Sequence, residues 1–80
     1  MDYSKMTIAE LANVIRKDWN NKMNFGAVPY YEAMTCLQSV NDCYGADSGR
    51  SIVAYFLSNA STWKGETAKA IKKELNKRIK

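Results

Sequence analysis

Apolar residues return every three to four positions in four separate stretches of this chain, and that period is the mark of helices packed along one face. In the first stretch Ile8, Leu11, Ala12, Ile15 and Trp19 form one stripe, with Arg16, Lys17 and Asp18 off it. Thr7-Ile8-Ala9-Glu10 reads as a capping box, the threonine hydroxyl and the glutamate carboxylate each taking one orphan amide. Met6 and Leu11 stand where a hydrophobic staple would hold the entering chain. The spacing predicts a helix over 7–20, ending near Asn20-Asn21.

Pro29 suits the opening of a second helix over 29–41, with Tyr30, Ala33, Met34, Leu37 and Val40 inward and Asn41-Asp42 as the stop. Tyr44-Gly45-Ala46 then crosses to a third helix over 48–62, capped by Asp47 or Ser48. That helix carries Ile52, Val53, Tyr55, Phe56, Leu57, Ala60 and Trp63, apolar over more than half its circumference, as expected of a central element. A buried strand at 51–57 is the competing reading. The polar run 58–62 weakens its end and Gly65 permits a turn. A fourth helix over 65–79 buries Ala68, Ile71, Leu75 and Ile79, with Glu74 and Arg78 as an i,i+4 pair. At 80 residues and with 46% hydrophobic residues, the expectation is all-α: a single-domain compact bundle of four short helices spanning residues 1–80.

Charge is uneven. Residues 1–63 carry five bases against six acids, whereas residues 64–80 carry seven bases against two acids. On the last helix Lys69, Lys73, Lys77 and Lys80 fall opposite the apolar stripe. Together with Lys64 they are the candidate contacts for nucleic acid. The alternative is a solvated face whose cations complement the helix dipole. A base-reading role finds little support, because that face lacks an Arg, Asn and Gln cluster. The connection between the second and third helices is also too long for a helix-turn-helix.

Enzyme constellations are missing one after another. The chain has no histidine, and Gly26, Gly45, Gly49 and Gly65 are scattered rather than gathered in a phosphate loop. Asp47-Ser48-Gly49 superficially suggests a nucleophilic serine, but a capping role fits it better than catalysis without a base. Glu10, Glu32, Asp42 and Asp47 lie on different elements without paired spacing. No catalytic residue, metal or cofactor is therefore expected. Cys36 and Cys43, seven apart, would be about 10.5 Å apart on one continuous helix, too far for a disulfide, and are expected to be reduced structural thiols. The start Met-Asp-Tyr-Ser-Lys lacks the apolar stretch of a signal peptide, and no run nears the roughly 20 apolar residues of a membrane span. A cytoplasmic protein without membrane attachment is expected.

Aromatics at helix ends supply a different kind of candidate. Tyr30, Tyr31 and Tyr44, supported by Arg50 and Trp63, are the expected protein contacts, because Tyr, Trp and Arg dominate interface hot spots. The same rings could instead form the edge of the core.

Along most of its length the chain resembles a set of small proteins encoded by bacteriophages and integrated elements of Gram-positive bacteria. The resemblance is carried by Ala9-Glu10-Leu11-Ala12 with Trp19 and by Pro29-Tyr30-Tyr31-Glu32-Ala33-Met34. Its densest part runs over residues 47–63, Asp47-Ser48-Gly49-Arg50 to Ser61-Thr62-Trp63, followed by Gly65-Glu66-Thr67-Ala68. It implies a setting, an accessory protein in the cytoplasm of a bacterial host, and supplies no mechanism. Residues and resemblance together suggest a non-enzymatic module that binds a host or phage protein, with non-specific nucleic-acid binding as the alternative.

Overall fold

The computed structural model describes residues 3–19, 23 and 25–79. Four helices follow in order: α1 (Ile8–Trp19), α2 (Val28–Met34), α3 (Gly49–Ser58) and α4 (Glu66–Ile79). Each of α2 and α4 packs on both α1 and α3, so the helices close around one core. A short 3-10 turn at Tyr3–Lys5 lies against α4, and another at Phe25–Ala27 leads into α2. The strand reading of 51–57 fails, since those residues lie in α3.

The core contains the expected stripes: Ile8, Leu11, Ala12, Ile15 and Trp19 from α1, Ala33 and Met34 from α2, Ile52, Val53 and Phe56 from α3, and Ala68, Ile71 and Leu75 from α4. Ile79 packs on its edge, half-buried. The capping box forms as expected. Thr7 N–H donates to Glu10 Oε1 at 2.8 Å, and Glu10 N–H donates to Thr7 Oγ1 at 3.1 Å. The expected stop at Asn20-Asn21 lies outside the described residues.

α2 ends at Met34, seven residues short of the expected boundary. The reason is a set of competing hydrogen bonds. Cys36 and Leu37 N–H groups fall back to the i−3 carbonyls of Ala33 and Met34, and the Thr35 hydroxyl donates to Glu32 O. Gln38 and Ser39 N–H groups both turn to Asp42 Oδ2, at 2.9 and 3.2 Å. The carbonyls of Gln38 and Leu37 accept from Ile8 and Ala9 N–H, at 3.1 and 2.8 Å. The segment after α2 thus satisfies the orphan amides that open α1, and it cannot remain helical while doing so. Leu37 and Val40 are buried all the same, outside any helix.

A two-residue antiparallel hairpin replaces the expected crossing: β1 (Cys43–Tyr44) pairs with β2 (Asp47–Ser48). Gly45 opens its loop at φ 62°, a conformation that side chains disfavour. Ser48 then caps α3, accepting Ser51 N–H at 3.2 Å. α3 stops at Ser58, earlier than the expected 62. Ser58 Oγ and Asn59 Nδ2 donate to the carbonyls of Ala54 and Tyr55, the local competition that makes such residues poor helix extenders. Ala60 and Trp63 still reach the core, from the loop beyond the helix.

Candidate binding surface

α2 and α3 pack side by side, and each carries an aromatic ring to the edge of that contact. The rings of Tyr30 and Tyr55 lie 5.5 Å apart, tilted by 32°. Tyr30 is half-buried and packs against the core, whereas Tyr55 is 54% exposed. The geometry follows from the helix period. With Ile52, Val53 and Phe56 inward, Tyr55 falls on the flank of α3, beside α2. Phe25, 89% exposed, stands on the 3-10 turn that packs on both helices.

Of the five protein-contact candidates read from sequence, Tyr30 belongs to this pair. Tyr31 is half-buried against the core, and Tyr44 is 47% exposed on β1. No ring contact joins Tyr31 or Tyr44 to the Tyr30–Tyr55 pair among the described residues. Arg50 is exposed in the first turn of α3, with Nη1 3.4 Å from Ile79 O.

Trp63 must be corrected. Only 2% exposed, it stacks on Trp19 at 5.7 Å and meets Phe56 edge-on at 6.5 Å, so it is a core residue and offers no contact surface. The aromatic density of α3 concealed Tyr55, which read as part of a buried face. Its angular distance from Ile52, Val53 and Phe56 was the signal that could have separated it.

The second candidate surface is the outer face of α4. Lys69, Lys73 and Lys77 are exposed on it, and Lys64 is exposed in the preceding loop; Lys80 lies outside the described residues. Lys72 is different. Its ammonium donates to Trp63 O at 2.6 Å and lies 5.8 Å from the Trp63 ring centroid. Partial burial, and then repulsion from Lys64, lower its pKa below the ordinary 10.5.

Three of the polar residues weighed for chemistry have structural tasks: Ser48 caps α3, and the Glu10 and Asp42 carboxylates hold backbone amides. Asp47 lies in β2, its backbone paired with Tyr44. Cys36 and Cys43 are free thiols on the surface, contrary to the expected structural role. Cys43 lies in β1, so the pair does not share a helix. None of the helices described is long and apolar enough to cross a membrane. No family model, curated protein or solved structure matches this chain.

Proposed function

We propose that this chain is a non-enzymatic accessory protein that binds another protein through the face centred on Tyr30 and Tyr55. The observation that carries the reading is the ring pair itself, shared between two packed helices, with Tyr55 more than half exposed. Rings anchored on helices present large amphipathic area at small entropic cost, the property that makes tyrosine an interface anchor. Phe25, exposed on the 3-10 turn that packs on both α2 and α3, adds apolar surface next to these helices. The resemblance to phage and prophage proteins supports a bacterial host factor or a phage protein as partner and the host cytoplasm as the setting.

The test is affinity capture from bacterial lysate with the parent chain, Tyr55→Ala and Tyr30→Ala, with and without nuclease. Circular dichroism confirms that each variant folds. A stoichiometric protein retained by the parent after nuclease, and lost about tenfold or more with Tyr55→Ala, is the expected result. Equal retention by a folded Tyr55→Ala variant overturns the assignment.

The alternative, non-specific nucleic-acid binding through α4, rests on Lys69, Lys73 and Lys77 sharing an exposed face on which Glu66 is the one acid among the described residues. Phosphate contacts of this kind weaken steeply with salt, because each releases counterions. A Lys69→Glu, Lys73→Glu, Lys77→Glu variant that bound DNA as well as the parent would remove that reading.

A further inference from the structure

Among the described lysines of α4, Lys72 alone is half-buried, and its amine is held in place. Its Nζ donates to Trp63 O at 2.6 Å and stands 5.8 Å from the centroid of the Trp63 ring. It borders a cleft of about 310 Å³ whose other walls are Trp63, Lys64, Gly65, Ala68 and Lys69. Lys64 comes near enough to repel it. One cleft therefore joins a positioned amine to two exposed ammonium groups, those of Lys64 and Lys69.

No carboxylate among the described residues borders this cleft. Asp18, the acid against Trp63, has its Oδ2 engaged by the indole N–H. At 100° per residue Glu66 falls about 120° round α4 from Lys72, and Glu74 falls about 160° away, bound to Arg78. Asp2, the one acid outside the described residues, precedes Tyr3, whose carbonyl Arg78 holds at the far end of α4. The cleft suits a small anion.

We propose that Lys72 is a site of acylation by small acyl phosphates, with Lys64 and Lys69 holding the phosphate while the Lys72 amine attacks the acyl carbon. The new C–N bond forms as the bond from that carbon to the phosphate oxygen breaks. Inorganic phosphate leaves with the electron pair, and the surplus proton of the amine passes to it or to water. Holding donor and amine in one cleft makes the attack effectively unimolecular. The nucleophile is the neutral amine, and burial together with the nearby Lys64 enlarges its share by lowering the Lys72 pKa. The bond to Trp63 O does not depend on the charge, because a neutral amine still has N–H groups to donate. An acylated Nζ keeps one N–H for that carbonyl, while the repulsion from Lys64 ends.

The experiment treats the full chain with acetyl phosphate and, in parallel, with the uncharged N-hydroxysuccinimide ester of acetic acid at the same pH. Peptide mass spectrometry reads the initial acetylation rate at each lysine. With acetyl phosphate, Lys72 is expected to react faster than the exposed Lys73 and Lys77, and its lead should shrink with the uncharged ester. Lys69→Gln should slow Lys72 about two- to fivefold with acetyl phosphate and leave its rate with the ester unchanged, the loss of one solvent-exposed charge contact. Lys64→Gln should slow it with both reagents, since it also removes the repulsion that favours the neutral amine. Tyr55→Ala should change neither rate, which separates this site from the protein-binding face. Lys72 reacting no faster than Lys73 and Lys77 overturns the proposal. So does a lead that is equal with both reagents or undiminished by Lys69→Gln.

Discussion

The indole nitrogen of Trp63 donates to Asp18 Oδ2 at 2.8 Å, joining the loop after α3 to the last turn of α1 across 45 residues of chain. The same ring stacks on Trp19, so polar and apolar contacts fix one geometry. Removing the acceptor leaves a donor on a ring that the core cannot release to solvent. Asp18→Ala should therefore cost about 1–3 kcal/mol, towards the lower end because the pair is only partly buried. Asp18→Asn retains an acceptor and should cost less. Urea denaturation followed by tryptophan fluorescence measures both, and an Asp18→Ala midpoint equal to the parent's would show that the bond contributes nothing net.

Gly49 and Gly45 should respond differently to alanine. At Gly49 a Cβ would stand 2.8 Å from Asp42 O and 3.0 Å from the carbonyls of Ser39 and Val40, all backbone atoms. Gly49 N–H also donates to Asp42 O at 2.6 Å, so the close approach is part of how α3 is held to the loop. Gly49→Ala should lose about 1–3 kcal/mol by overpacking and shift the amides of 39–42. Gly45 has open space around it but φ 62°, so Gly45→Ala should cost about 1–2 kcal/mol from backbone strain, with shifts confined to the hairpin. Denaturation midpoints paired with amide spectra separate the two causes.

These contacts mark the boundary of what the residues disclose in advance. The stripes of α1 and α4 and the capping box of Thr7 and Glu10 depend on local spacing, and they were legible. The end of α2 was not. Leu37 and Val40 keep helical spacing and are buried, yet the backbone between them serves Ile8, Ala9 and Asp42. Periodicity registers which side chains are inward and is blind to where the carbonyls go. The candidate site was half legible for the same reason. Tyr30 was recognisable as an aromatic near a helix start; the helix period alone sets Tyr55 apart from Ile52, Val53 and Phe56, but its pairing with Tyr30 exists only once α2 lies beside α3. Trp63 gave the opposite error, because nothing local shows that Trp19 and Phe56 enclose it.

Lys72 gives the fold a pH dependence of predictable sign. Burial and the neighbouring Lys64 hold its pKa below the ordinary lysine value, so the unfolded chain binds this proton more tightly than the folded one. Stability from this group is therefore smallest while Lys72 is charged. It rises as pH climbs through the lowered folded value towards 10.5, and levels off above that. Lys64→Gln removes the repulsive part and should move the Lys72 titration upwards without abolishing the shift, since burial is the larger cause. An NMR titration of the lysine side-chain εCH2 groups reads this directly. A Lys72 curve unchanged by Lys64→Gln would assign the whole depression to burial.

The start of α1 is a joint between local and distant structure, and the two can be separated. Thr7 and Glu10 satisfy each other's amides, while Ile8 and Ala9 N–H groups reach the carbonyls of Gln38 and Leu37. Thr7→Ala should cost about 1 kcal/mol as a lost cap, and Glu10→Ala somewhat less because its amide is exposed to water. Both bonds of the box depend on one geometry of the Thr7 backbone, so the double variant should lose less than the two single losses added. Hydrogen exchange at Ile8 and Ala9 supplies the second readout. If the cap positions the helix end against the loop, Thr7→Ala accelerates exchange at both amides beyond what global destabilisation produces. Exchange that tracks global stability alone would mean that the loop carbonyls hold α1 without help from its cap.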